Sequence, residues 1–349
     1  MYPTKAYGTK GFGKQLAPIQ INRRKLRPFD VLIDIHYCGI CHSDIHQVRN
    51  EWDNAKYPMI PGHEITGIVS KVGARAKKFK IGDRVGVGCL VDSCRKCIDC
   101  KKREEQFCDH PVWTYNAYEK NGKTLTFGGY STQIVVDQDF VLKIPKNIPL
   151  DLAAPLLCAG ITTYSPLRHW KVGRGAKVAI VGLGGLGHVA VKLARAMGAH
   201  VSVLSHSPKK KKDALKLGAH QFYSTRDPKI FDRLKRRFHL ILNSVSVELE
   251  WDKYFGLLER DGALVLLGVP EKRLSLSAFD LILGRKHFAG SLIGGTKETQ
   301  EMLNFCGKYN ITPDIELISI QKVNEAYRRV VSGDVRYRFV IDLASLKYD

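Results

Sequence analysis

The stretch Lys177-Val-Ala-Ile-Val181-Gly182-Leu-Gly184-Gly185-Leu186-Gly187, running on into His188-Val-Ala-Val-Lys-Leu-Ala-Arg-Ala-Met197 and stopping at Gly198, decides the fold. Five β-prone residues end in glycines spaced G-x-G-x-x-G, and an apolar, helix-favouring run follows at once. In that context the fingerprint predicts a strand, a tight turn and a helix N-terminus. The backbone N–H groups of Gly182, Gly184, Gly185, Leu186 and Gly187 can then receive a pyrophosphate. A bare glycine pattern would say little; the strand before it and the helix after it make it a dinucleotide-binding loop.

Working outward, further apolar runs follow at Val201–Leu204, Gln221–Tyr223, His239–Leu242, Ala263–Leu267 and His287–Ser291, separated by helical stretches. With Lys177–Val181 they predict six strands of a doubly wound parallel sheet, a Rossmann-type α/β domain. Upstream the pattern changes. From Val31 to about Val141 short β-rich runs alternate with Gly and Pro: Val31–Tyr37, Thr66–Val72, Asp83–Val87, Tyr130–Val136 and Phe140–Ile144. This reads as a mostly β domain rich in loops. The end of the chain offers an amphipathic helix Thr296–Tyr309, a short helix Lys322–Ser332 and a strand Tyr337–Leu343, with no core of their own. They are expected to pack on the first domain. The expected organisation is residues 1–151 with 293–349 as one domain, and 152–292 as the nucleotide domain.

Length agrees, since 349 residues at about 150 per domain suggest two. Composition is that of an ordinary globular chain, excluding fibre and disorder. The chain has 55 Lys and Arg against 34 Asp and Glu, a net charge of +21. That excess attracts phosphates or nucleic acid nonspecifically but names no partner, and neither a recognition helix nor a basic, aromatic-lined groove can be placed. The longest uncharged stretch, Leu152–Leu167, carries two prolines and three Ser or Thr residues, and the N-terminus has Lys5, Lys10 and Lys14 but no apolar signal core. The expectation is a cytoplasmic protein with no membrane and no specific nucleic-acid partner.

Cys94, Cys97, Cys100 and Cys108 follow C-x2-C-x2-C-x7-C. Four thiolates from one loop can converge on a tetrahedral zinc, and with no open position the site would be structural. A ferredoxin-type cluster would need a following C-x3-C-P, which is missing. A second set is dispersed: Cys41, then His63-Glu64, then Cys158. One imidazole and two thiolates would leave a fourth position for water or substrate oxygen, the open arrangement of a catalytic zinc. After the next strand, where a carboxylate would hold the ribose 2′-hydroxyl of NAD, stand Ser205-His206-Ser207-Pro208 and Lys209–Lys212. Hydroxyl and ammonium donors there favour the 2′-phosphate of NADP(H).

These residues together resemble the zinc-dependent medium-chain alcohol dehydrogenases, in their cinnamyl alcohol dehydrogenase-like branch, over nearly the whole chain. The most specific pieces are Cys38-Gly-Ile-Cys-His-Ser-Asp-Ile-His46, Tyr57-Pro-Met-Ile-Pro-Gly-His-Glu64, Val85-Gly-Val-Gly-Cys89, Ala154-Pro-Leu-Leu-Cys-Ala-Gly-Ile-Thr-Thr-Tyr-Ser-Pro-Leu167 and Ser291-Leu-Ile-Gly-Gly295. The resemblance implies a GroES-like catalytic domain carrying both zinc sites, two Zn2+ per chain and NADP(H), in reversible hydride transfer between primary alcohols and aldehydes, aromatic and aliphatic. It implies that Cys41, His63 and Cys158 hold the catalytic zinc, that Glu64 is an intermittent ligand, and that Asp44 orients the His63 ring. Ser43 would take the alcohol proton and pass it toward His46, with His42 near the pyrophosphate. Ser205, Ser207 and Lys211 match the positions that read the 2′-phosphate, with His206 standing where relatives carry Ser or Thr. Trp52 and Trp113 fall where aromatic substrate-pocket residues lie. A homodimer paired through edge strands, at Phe288–Gly294, is also implied. The rivals are a polyol dehydrogenase, disfavoured by the missing acidic residue for NAD, and a zinc-independent quinone or alkene reductase of the same fold, which lacks the Cys, Gly-His-Glu and Cys set.

Overall fold

The structure, a computed structural model, describes residues 1–270 and 272–346. The chain divides into two compact units, Met1–Ile161 with Gly294–Asp349, and Thr162–Ile293. The first division falls ten residues beyond the expected 151/152 boundary. The reason is local: Thr66 Oγ1 donates to the carbonyl of Leu150 at 2.8 Å, tying the helical segment Leu150–Leu157 to the sheet of the first unit.

In that unit the strand Asp30–Gly39 is the organiser. One edge pairs antiparallel with Ile65–Val72. The other edge is shared, Gln133–Asp137 pairing with Asp30–Asp34 and Arg338–Asp342 pairing with Tyr37–Gly39. Burial on both faces drives the placement: the consecutive residues Val31, Leu32 and Ile33 are buried, as are Phe339, Val340 and Ile341 on the partner. Arg84–Val87, Leu142–Lys143 and Ile315–Ser319 complete a seven-stranded sheet. Ile315–Ser319 and the hairpin pair Tyr2–Gly8 with Ala17–Arg23 have no counterpart in the sequence reading, because Ile315–Ser319 and Ala17–Arg23 bury few residues and the buried positions of Tyr2–Gly8 do not alternate. The run Phe140–Ile144 supplies only a two-residue strand after a 3-10 turn at Gln138–Phe140. The helix Thr296–Tyr309 buries Thr299, Met302, Leu303 and Cys306, the i, i+3, i+4, i+7 stripe of an amphipathic helix.

The second unit is a six-stranded parallel sheet in the order Gln221–Ser224, His200–Ser205, Lys177–Val181, Phe238–Asn243, Leu258–Leu266, His287–Gly290. Numbered along the chain this is 3-2-1-4-5-6, the doubly wound order. The strand order reverses beside Lys177–Val181, whose C-terminal end carries the glycine loop. No helix among the described residues is long and apolar enough to cross a membrane.

Candidate active site

The antiparallel pairing around Asp30–Gly39 gathers one end of three strands. Cys41 follows that strand, His63 and Glu64 precede Ile65, and Arg338 opens its own strand. Backbone bonds lock the register there: Gly39 N donates to Glu64 O at 3.0 Å and Ile40 N to Phe339 O at 2.9 Å. Gly39 has to be glycine, since a Cβ would lie 1.9 Å from Glu64 Oε2. Cys158 arrives from the 3-10 turn Ala154–Leu157.

One ligand atom each from Cys41, His63, Glu64 and Cys158 lies within 4.8 Å of all the others. The Cys41 and Cys158 sulfurs are 3.8 Å apart. Asp44 sits behind this group, fully buried. Its Oδ1 faces His63 Nδ1 at 3.1 Å and accepts from Gly62 N at 3.2 Å, while Oδ2 accepts from Cys41 N at 2.9 Å. The ring nitrogen that faces the thiols is therefore Nε2. Tyr130 Oη donates to Asp44 Oδ2 at 3.4 Å, and the Tyr115 ring stacks on His63 at 5.9 Å.

Electrostatics follow from burial and contact. Cys158 contact and His63 pull the Cys41 thiol well below its ordinary value. Shared contacts with Cys41 and Cys89, together with burial, push Cys158 well up. Burial works against protonated His63, yet Asp44 outweighs it and holds the imidazole well above its usual range. Burial raises Glu64 to about 8 despite the opposing charge of Arg338. Glu64 Oε1 accepts from Arg338 Nη2, whereas Oε2 is buried with no hydrogen-bond partner. Two thiols, an imidazole and an orphaned carboxylate oxygen are the donor set of a zinc site, and the residues fit that ion.

Ser43 Oγ donates to Cys41 Sγ at 3.1 Å. His42, His46 and Trp52 form a stack, His42 to His46 at 4.8 Å and His46 to Trp52 at 5.0 Å, and His46 Nδ1 also contacts Glu51. Trp52 is 40% exposed, and Trp113 lies in a two-residue strand beside Leu90. Sequence reasoning gave no role to Arg338, Tyr115 or Tyr130, and quoted Cys89 only as part of a motif. The one available signal for Arg338 was a cation opening an otherwise apolar strand.

The second cluster is Cys94, Cys97, Cys100 and Cys108, whose sulfurs also lie within 4.8 Å of one another. Main-chain N–H groups point at three of them: Cys97 N to Cys94 at 3.4 Å, Cys100 N to Cys97 at 3.4 Å and His110 N to Cys108 at 3.3 Å. Such donors favour thiolate, and the four fit a closed tetrahedral ion.

In the second unit the glycine loop is close-packed. Gly182 has φ +87°, where L side chains are strained, and a Cβ on Gly187 would lie 2.2 Å from Gly182 O. Nothing lies within 4 Å of a Cβ built on Gly184, so that side of the turn is open for a phosphate. Lys210 Nζ donates to Leu183 O at 2.8 Å, so Lys210 braces the loop, while Lys211 begins the helix Lys211–Lys216 and is exposed. Ser205 Oγ accepts from Ser207 N at 3.3 Å.

The family models for the alcohol dehydrogenase GroES-like domain and the zinc-binding dehydrogenase match residues 27–146 and 185–308. The chain belongs to the zinc-binding alcohol dehydrogenase family. It is 57% identical over 349 residues to NADP-dependent alcohol dehydrogenase C 1 of Mycolicibacterium smegmatis, covering 99% of this chain and 100% of that one. Among solved structures, a cinnamyl alcohol dehydrogenase from Sorghum bicolor matches with TM-score 0.96 at 41% identity, over 100% of this chain and 99% of that one. CAD from Helicobacter pylori, complexed with NADP(H), matches with TM-score 0.92 at 47% identity, over 98% of each chain. The chain is thus an oxidoreductase with the medium-chain dehydrogenase fold.

Proposed function

We propose that this alcohol dehydrogenase interconverts aldehydes and primary alcohols, aromatic and aliphatic, with NADP(H), using two zinc ions per chain. The observation that carries the reading is the convergence of Cys41, His63, Glu64 and Cys158 on one point, with an unpartnered carboxylate oxygen inside it. Relatives named for NADP and for cinnamyl alcohol support the cofactor and substrate class. Held by Cys41, His63 and Cys158, zinc would supply Lewis acidity to a substrate oxygen, and NADP(H) the hydride. The four-cysteine loop would hold the second ion structurally.

The protein's own groups do the rest. Asp44 fixes the tautomer of His63 and, through Cys41 N and Gly62 N, the loops carrying both ligands. Arg338 draws Glu64 back, leaving one carboxylate oxygen available. Ser43, two residues from Cys41, would give and take the proton of the substrate hydroxyl, with His46 as its outlet toward solvent. Trp52 beside His46 supplies an aromatic face; Trp113 is the second pocket candidate. Gly182, Gly184, Gly185, Leu186 and Gly187, with His42, would receive the pyrophosphate, and Ser205, Ser207 and Lys211 the 2′-phosphate.

Two copies pair, in this reading, through the strand His287–Gly290, an edge of the parallel sheet, near which Phe279, Ile282 and Leu283 are two-thirds exposed. The cell compartment is the cytoplasm. Cys158→Ala tests the site: aldehyde reduction should vanish while dinucleotide binding, followed by fluorescence, persists. Undiminished turnover would contradict the assignment.

A further inference from the structure

The strand Gln221–Ser224 is the outer edge of the parallel sheet, and its register sets Ser224 beside Ser205. The chain leaving it stays bound to its neighbour, Thr225 N donating to Ser205 O at 3.1 Å. Arg226 comes next, with its Nε donating to His206 Nε2 at 3.2 Å. In doubly wound folds the end of the second strand is where the adenine-side ribose is read. We propose that Arg226, steadied by His206, is a further residue that binds the cofactor's 2′-phosphate. The proposal rests on the NADP(H) reading above.

Three observations carry it. Arg226 is exposed and has no carboxylate partner among the described residues. Its acidic neighbour Asp227 is committed elsewhere, pairing with Arg233 at 3.2 Å and accepting from Lys229 N at 3.1 Å. The bond to His206 uses only Nε, so both terminal nitrogens of the guanidinium fork remain to engage two phosphate oxygens. The fork also stands at the strand end that carries Ser205, His206 and Ser207, the same end to which the 2′-phosphate reading assigns the hydroxyls. His206 thus acquires a use. A neutral imidazole can accept from a guanidinium and hold it in place, whereas protonation would remove the acceptor.

The test is calorimetric titration of the full chain with 2′,5′-ADP and with 5′-AMP, which measures the phosphate contact without turnover. Wild type should bind 2′,5′-ADP more tightly than 5′-AMP. Arg226→Ala should weaken 2′,5′-ADP by about 10- to 100-fold, the scale of losing a charge-assisted pair of bonds. Its 5′-AMP affinity should stay within about twofold, and Arg226→Lys should recover only part of the loss. His206→Ala should weaken 2′,5′-ADP by less than Arg226→Ala. Thermal melts of each variant check folding. If Arg226→Ala binds 2′,5′-ADP as wild type does while Lys211→Ala does not, Arg226 is outside the phosphate site and the proposal is overturned. If wild type itself binds the two nucleotides equally, the NADP(H) reading fails, and the proposal with it.

Discussion

Arg338 and Glu64, 274 residues apart in sequence, form a buried ion pair between neighbouring strand ends of the first unit. The cation lies on the strand beside Asp30–Gly39, and the anion on the residue following His63. Breaking one side of such a pair leaves the other's buried polar group without its hydrogen-bond partner. Arg338→Leu should therefore lower stability by about 1–3 kcal/mol, read from urea unfolding of the metal-stripped protein. The double variant Arg338→Leu, Glu64→Leu should recover much of that loss. Equal loss in both would mean that the guanidinium acts by packing, not by pairing.

Asp44 offers a second test. Its two oxygens face His63 Nδ1 and accept from two backbone N–H groups, so Asp44→Asn removes charge while keeping shape. Competition with a chromophoric chelator should show zinc held about 10- to 100-fold more weakly at one of the two sites, as for other carboxylates behind a ligating histidine.

The two clusters should separate by metal analysis. Cys97→Ser, in the four-cysteine loop, should lower zinc content by one ion per chain and reduce the melting temperature, because the loop Cys94–Cys108 has little core of its own. Cys41→Ser should also remove one ion but abolish turnover with a smaller loss in melting temperature. Zinc content by plasma mass spectrometry, with calorimetric melting, checks both.

Thiol chemistry gives a pH-dependent prediction. N–H groups of Lys96 and Cys97 lower Cys94 to about 6, while burial raises Cys100 and Cys306 to about 12. At pH 7 a thiol below that pH is mostly thiolate, and one far above it is neutral. In metal-stripped protein, brief alkylation at pH 7 should label Cys94 ahead of Cys100 and Cys306 by peptide mass mapping. Moving to pH 5 should slow the Cys94 reaction, since its thiolate is lost as pH falls through about 6.

The readability of the chain divides along physical lines. The second unit was legible because parallel strands buried on both faces are written as continuous apolar runs such as Val178–Val181, and because the glycine loop fixes the first turn. The helix Thr296–Tyr309 was legible by its stripe. Ile315–Ser319 was not, since it has no fully buried residue, only Leu317 standing out as exposed among half-buried neighbours, and it gains its place by pairing with Arg338–Asp342. At the site, the spacing of Cys94 to Cys108 is local and could be read directly. Cys41, His63 and Cys158 are distant in sequence and needed the family resemblance. Arg338 could be read from neither, because its role exists only once two strand ends lie side by side. Likewise His206 looked like a departure from the pattern until Arg226, in the turn after the next strand, was seen beside it.

The two zinc-type clusters and the nucleotide loop together imply metal-dependent hydride transfer with NADP(H). Its most direct test is the initial rate of NADPH and NADH oxidation with benzaldehyde, cinnamaldehyde and short aliphatic aldehydes, before and after chelator treatment and after zinc is restored. Turnover should prefer NADPH, fall to background on stripping and return with zinc. Equal rates in stripped and loaded protein, or turnover confined to NADH, would contradict it.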